Sequence, residues 1–146
     1  MNTSRTSYIP PSDEKANAYQ ARLGYSRAVR RGPLIHVSGS TSYVDGATQH
    51  VGSAYKQAVA AFETSLEAIS HLCAPELAAE PDLDVRRYVT RIKMFVRKVE
   101  DCEAVGEAMR DVFKAAGNEW ASTLLAGIVL VAEEMLVEVE LDAWVA

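Results

Sequence analysis

"MLVEVELDAWV", Met135 to Val145, is the stretch from which the fold is read. Met135, Val137, Val139, Leu141, Ala143 and Val145 recur at every second position, and a period of two puts them on one face of a β-strand. The other face carries Glu138, Glu140 and Asp142 between Leu136 and Trp144. Three carboxylates in line beside apolar neighbours need solvent, a cationic partner or a cavity, because burying an unpaired charge is costly. They read either as the wet lining of a contact between subunits or as a cleft where one half-buried acid, its pKa raised, handles a proton or a water.

Working back along the chain, "EWASTLLAGIVLV" (Glu119–Val131) predicts a strand over Ser122–Val131, joined to the last one by a tight turn at Ala132–Glu134. Asp101 heads an amphipathic helix whose inner stripe is Cys102, Val105, Met109, Val112, Phe113 and Ala116, with Gly117 as terminator. "RRYVTRIKMFV" (Arg86–Val96) alternates as a strand with Tyr88, Thr90, Ile92, Met94 and Val96 on one side. Pro75 and Pro81 mark Ala74–Asp84 as a loop. From the N-cap Ser53, the residues Tyr55, Ala58, Val59, Phe62, Leu66, Ile69 and Cys73 step along one helical face. "YSRAV" (Tyr25–Val29) and "LIHVSG" (Leu34–Gly39) flank "RRGP" as a hairpin. Residues 1–22 form an irregular or partly helical arm, broken at Pro10 and Pro11.

The order is β-β-α-β-α-β-β, an α+β domain with two helices on one face of a mixed, mostly antiparallel sheet. In the Ser122–Val131 stretch, Leu124, Ala126, Ile128 and Leu130 point one way, and Leu125, Val129 and Val131 the other. Two helices cover one side only, and the other would leave an apolar patch that soluble monomers avoid. A closed homo-oligomer formed through the sheet is expected.

A length of 146 residues fits one domain, and the net charge of -5 argues against generic affinity for nucleic acid. Arg27, Arg30 and Arg31 read as a solvated strand edge. Cys73 and Cys102 lack metal-ligand spacing, and His36, His50 and His71 stand isolated. There is no metal-ligand pattern, so no metal site is expected, and no Gly-rich phosphate loop or nucleophile elbow. The polar opening residues lack a signal-peptide core, and no run reaches the ~20 apolar residues of a membrane span, so a reduced cytoplasmic setting is expected.

"GYSRAV", "IHVSGS", a long helix beginning near "AYKQAV" and the closing "LVEVELDA" together resemble the Rid/YjgF family over Gly24 to Val145. The resemblance implies a chorismate-mutase-like fold and a homotrimeric barrel with ligand clefts between subunits. It also implies hydrolysis of reactive enamines and imines derived from amino acids, releasing ammonia and a keto acid without a cofactor. By the same resemblance Tyr25 sits at the cleft, Ser38 and Gly39 line it or bind the substrate carboxylate, and Glu138 holds the attacking water.

The family's Pro-Ala-Arg-(Ser/Thr) segment reads Trp120-Ala121-Ser122-Thr123 here, so the carboxylate-gripping arginine is Ser122. A guanidinium offers a charged bidentate fork; a hydroxyl offers one neutral donor. Charge-assisted hydrogen bonds contribute about 1.5–3 kcal/mol against ~1 for neutral ones, so binding of a small 2-imino acid is expected to weaken by an order of magnitude or more. The expected substrate is therefore a reactive intermediate without the usual small carboxylate handle, with Glu138 and Ser38 as catalytic groups. Tyr25, Gly39, Trp120, Ser122, Thr123 and Arg27 are the binding candidates, Arg27 as a replacement cation. Trp120 reads equally as an aromatic wall or an interface anchor, and Ser122 and Thr123 equally as plain strand-start residues. The alternative function is a non-catalytic ligand-binding trimer that has kept the cleft and lost the deaminase activity.

Overall fold

The computed structural model describes residues 5–9, 14–117 and 119–145. Its elements are β1 (Arg5–Tyr8), α1 (Glu14–Leu23), β2 (Ala28–Arg31), β3 (Leu34–Val37), the short pair β4 (Tyr43–Val44) and β5 (Ala47–Thr48), α2 (Ala54–Leu72), α3 (Ala74–Ala79), β6 (Val89–Val96), α4 (Cys102–Phe113), β7 (Ala121–Ala126) and β8 (Val137–Trp144). The main sheet runs β1-β2-β3-β8-β6-β7, with every neighbouring pair antiparallel except β6 and β7. This is the expected mixed α+β sheet, with one strand more than the sequence announced.

The alternation of β8 decides the layering. Val137, Val139, Leu141 and Ala143 are fully buried, together with Ile35 of β3 and Ile92 and Val96 of β6. The long helix α2 and the helix α4 pack on that face, where Phe62 and Phe113 meet edge to face at 5.4 Å. Ser53 caps α2 as expected, its hydroxyl accepting from the Lys56 amide at 3.3 Å. Asp101 precedes α4 without a side-chain cap bond.

Several expected boundaries move, each for a local reason. Within the described part of the arm, α1 supplies the partly helical portion and β1 is a strand not expected; the Pro10–Pro11 break lies outside the described residues. The hairpin turn is the two-residue Gly32-Pro33, with Gly32 at φ 58°, so Arg31 pairs with Leu34 and the strand starts at Ala28 rather than Tyr25. Ala74–Ala79 is helical, because a proline in the first turn loses no hydrogen bond. Tyr88 belongs to a 3₁₀ turn, and a register shift between Val89 and Arg91 puts Val89 on the buried face and Thr90 outside. β7 ends at Ala126, before Gly127 at φ 78°, and does not form a hairpin with β8. The α4 crossover returns β7 parallel to β6, on the far side from β8. Residues 127–136 connect the two irregularly, held by the Arg97 guanidinium donating to the carbonyls of Ala132 (2.6 Å), Met135 (2.7 Å) and Leu130 (3.2 Å).

The arginine cluster does not mark a sheet edge, since β1 pairs with β2, and of the three only Arg31 is exposed to solvent. Arg30 donates to the Leu72 carbonyl at the end of α2 (2.9 Å) and pairs with Glu76 of α3 at 2.6 Å. Arg27 turns toward the cleft described below.

Candidate functional site

The sheet face opposite the helices presents the polar side of β8. Asp142 pairs with His36 at 2.7 Å and Glu140 with Lys93 at 3.2 Å, so two of the three carboxylates have cationic or imidazole partners across the strands. Glu138 stands apart. Its cross-strand neighbour on β6 is Phe95, and it faces a cleft of about 600 Å³.

A bulge seats Glu138. His36 faces Asp142, whereas Ser40 faces Val139 through bonds of 2.8 and 2.9 Å in both directions. Four residues on one chain thus span three on the other, leaving one extra residue between Val37 and Ser40. The Glu138 carboxylate lies directly on Gly39, where an added Cβ would overlap its oxygen and come within 2.9 Å of its carboxyl carbon. Gly39 does not have a positive φ, so space rather than backbone conformation requires glycine there.

Arg27 closes the same corner. One of its terminal nitrogens donates to the Gly39 carbonyl at 2.6 Å, the Ser40 hydroxyl at 3.2 Å and the Ser38 carbonyl at 3.4 Å. It is the one lysine or arginine among the described lining residues. Burial raises the Glu138 pKa above the ordinary carboxylate range, and the charge of Glu140 adds to the rise. Arg27 acts against both. A half-buried carboxylate poised in this way is suited to taking and returning a proton.

The expected site residues divide into two groups. Tyr25, Arg27, Gly39 and Glu138 line one cleft. Ser38 lies beside it, its hydroxyl donating to the Ser26 carbonyl at 2.8 Å and so bracing the bulge. Trp120, Ser122 and Thr123 lie at the other margin of the sheet. Trp120 packs on Phe113 at 5.3 Å, at the end of α4. Ser122 and Thr123 are exposed on β7, opposite Ile92 and Lys93. Within one subunit they are two strands away from Glu138, because β6 separates β7 from β8.

The chain matches the family model described as endoribonuclease L-PSP over residues 15–145. It belongs to the L-PSP family. Among solved structures it is similar to Rv2704 of Mycobacterium tuberculosis, described as a member of the YjgF/YER057c/UK114 family, with 27% identity and a TM-score of 0.73 over 97% of this chain and 100% of that one. It also shares its fold with NMB1025 of Neisseria meningitidis, described as a YjgF family member (20% identity, TM-score 0.64, 100% and 98% covered). The yeast protein YEO7 is a further structural match (16% identity, TM-score 0.68, 98% and 100% covered). No curated protein sequence is similar enough to count as a match.

In this L-PSP family member the cleft also has walls that, apart from Tyr25, the sequence did not announce. Four of the chain's six tyrosines line it, Tyr8, Tyr19, Tyr25 and Tyr43, from four separate segments. Gln20 of α1 and Glu67 of α2 complete that side. No periodicity links these residues; only the tertiary fold, with β1 packed against α2, assembles them. Among the described residues no helix is long and apolar enough to cross a membrane, and no cluster of His, Cys, Asp and Glu is arranged to hold a metal ion.

Proposed function

We propose that the chain is an imine hydrolase of the Rid type in which Glu138 handles the water and Arg27 holds the anionic end of the substrate. The observation that carries this reading is the Glu138 carboxylate, raised in pKa and seated on Gly39 beside Arg27 in an open cleft. As the water oxygen attacks the imine carbon, Glu138 takes a proton from the water. It returns that proton to the nitrogen to give a carbinolamine; it then takes the hydroxyl proton and delivers it to the nitrogen as the C–N bond breaks, so that a carbonyl product and ammonia leave. Arg27 offers a charged group that Ser122 lacks, from the residue just before β2 instead of from β7. Ser38 serves as a positioning residue through its bond to Ser26.

Assembly into a homotrimer is part of the proposal. The sheet face away from the helices exposes Leu34 (41%), Leu125 (48%) and Trp144 (50%), which favours covering by other copies. Such closure would bring Ser122 and Thr123 of one subunit toward the cleft of a neighbour.

The test is ammonia release from imines generated in situ by an amino acid oxidase. Glu138→Gln should abolish release while sedimentation still reports a trimer; an unchanged rate removes Glu138 from the chemistry. If the wild type releases no ammonia from any imine but still binds the keto-acid products, the non-catalytic binding protein is the better description.

A further inference from the structure

The tyrosine-lined wall of the cleft contains an unexplained group. Gln20 is 1% exposed, lines the cleft, and has neither its amide oxygen nor its amide nitrogen hydrogen-bonded among the described residues. A buried amide without partners is unfavourable, and such a group in a native fold calls for a ligand that completes it. Around it stand Tyr19 and Tyr25, edge to face at 6.5 Å, with Arg22 over the Tyr19 ring at 5.2 Å. Tyr8 is already committed, its hydroxyl donating to Glu67 at 3.2 Å. The backbone carbonyl of Gln20 is likewise satisfied by the amides of Gly24 and Tyr25, at 2.9 and 3.1 Å. What remains without a partner is the Gln20 side-chain amide, its two N–H donors and its carbonyl oxygen, beside an aromatic wall.

We propose that this compartment binds a flat aromatic ring carrying an adjacent hydrogen-bond donor and acceptor, as on a carboxamide or lactam edge, paired in both directions with the Gln20 amide. An amide pairs with such an edge through two hydrogen bonds at once, and the tyrosine rings supply faces and edges for stacking. The volume agrees with this: about 600 Å³ falls in the range of roughly 300–1,000 Å³ that encloses ligands of drug size, far more than a short aliphatic imino acid fills. On the imine-hydrolase reading, with which this inference is combined, the reacting carbon lies at Glu138 and the aromatic amide body extends to Gln20.

The experiment uses binding of non-reacting probes, so that its outcome is independent of turnover. Titration calorimetry would compare benzamide, cyclohexanecarboxamide and toluene on the full chain and on Gln20→Leu. Benzamide should bind the wild type about tenfold more tightly than either other probe, the worth of one to two hydrogen bonds or of the stacking. Gln20→Leu should lose that advantage over toluene and, in the absence of ligand, raise the melting temperature, because it removes an unsatisfied buried amide. Equal binding of benzamide and toluene by the wild type would overturn the inference without recourse to any variant. So would a Gln20→Leu protein that melts lower yet still prefers benzamide. Gln20-dependent benzamide binding in a protein that hydrolyses no imine would sink the catalytic reading alone. Imine hydrolysis lost in Glu138→Gln, with no benzamide preference, would sink the compartment alone.

Discussion

Replacing Gly39 by alanine separates the two roles of that position. The new methyl would stand 2.9 Å from the Glu138 carboxyl carbon and nearer still to one oxygen. Ordinary carbon contacts begin at about 3.5 Å, so the carboxylate must retreat by on the order of 1 Å. The obstacle is the far end of a flexible side chain, and Gly39 has no positive φ, so the fold itself should lose less than about 1 kcal/mol. The chemistry is less tolerant, since a displacement near 1 Å can cost about a hundredfold in rate. Gly39→Ala should therefore melt within a few degrees of the wild type while kcat for ammonia release falls about a hundredfold. The double variant with Glu138→Gln should be no slower than Glu138→Gln alone, because both changes disable one carboxylate. A Gly39→Ala enzyme with full activity, or a loss that adds to that of Glu138→Gln, would refute the account of the bulge.

Four further outcomes follow from the structure. Arg27→Gln should lower kcat/KM for carboxylate-bearing imines by roughly 10- to 150-fold, the worth of a charge-assisted bond, mainly through KM in steady-state assays. Activity should fall on the acid side with a midpoint above the ordinary carboxylate range, because burial raises the pKa of Glu138 and the base must be ionised to work. A raised carboxyl pKa means the fold disfavours the ionised form, so this group's contribution to stability is largest in acid and declines as pH rises through its folded value. Glu138→Gln should abolish that decline in a series of melting curves. The Cys73 thiol, pushed up to about 11 by burial, should resist alkylation by iodoacetamide at pH 8 in the native protein and react once unfolded; prompt native labelling at Cys73 would contradict its packing under α2 and α3.

How much of this was legible in the sequence differs from element to element. α2 could be placed to within a residue, since a nineteen-residue apolar stripe behind a serine cap is a local signal. β7 could be recognised as a strand but not located: its partner depends on the α4 crossover, which sets it parallel to β6 and away from β8. Ser122 illustrates the cost of that ambiguity, because its neighbours in sequence say nothing of the strand β6 that separates it from β8. β1 was missed because four residues, Arg-Thr-Ser-Tyr, carry too little alternation to announce a strand.

The sequence by itself determined the α+β class, the buried face of β8, the family resemblance and the candidacy of Glu138, Gly39, Tyr25 and Arg27. Those rest on periodicity and on short motifs, which are properties of neighbouring residues. Only the tertiary structure decided which carboxylate of β8 is left for the cleft, by giving Asp142 and Glu140 partners from β3 and β6 and offering Glu138 a bare glycine. It alone brought the tyrosines and the unpartnered Gln20 amide into one wall, because contacts between segments dozens of residues apart are fixed by packing and leave no local pattern.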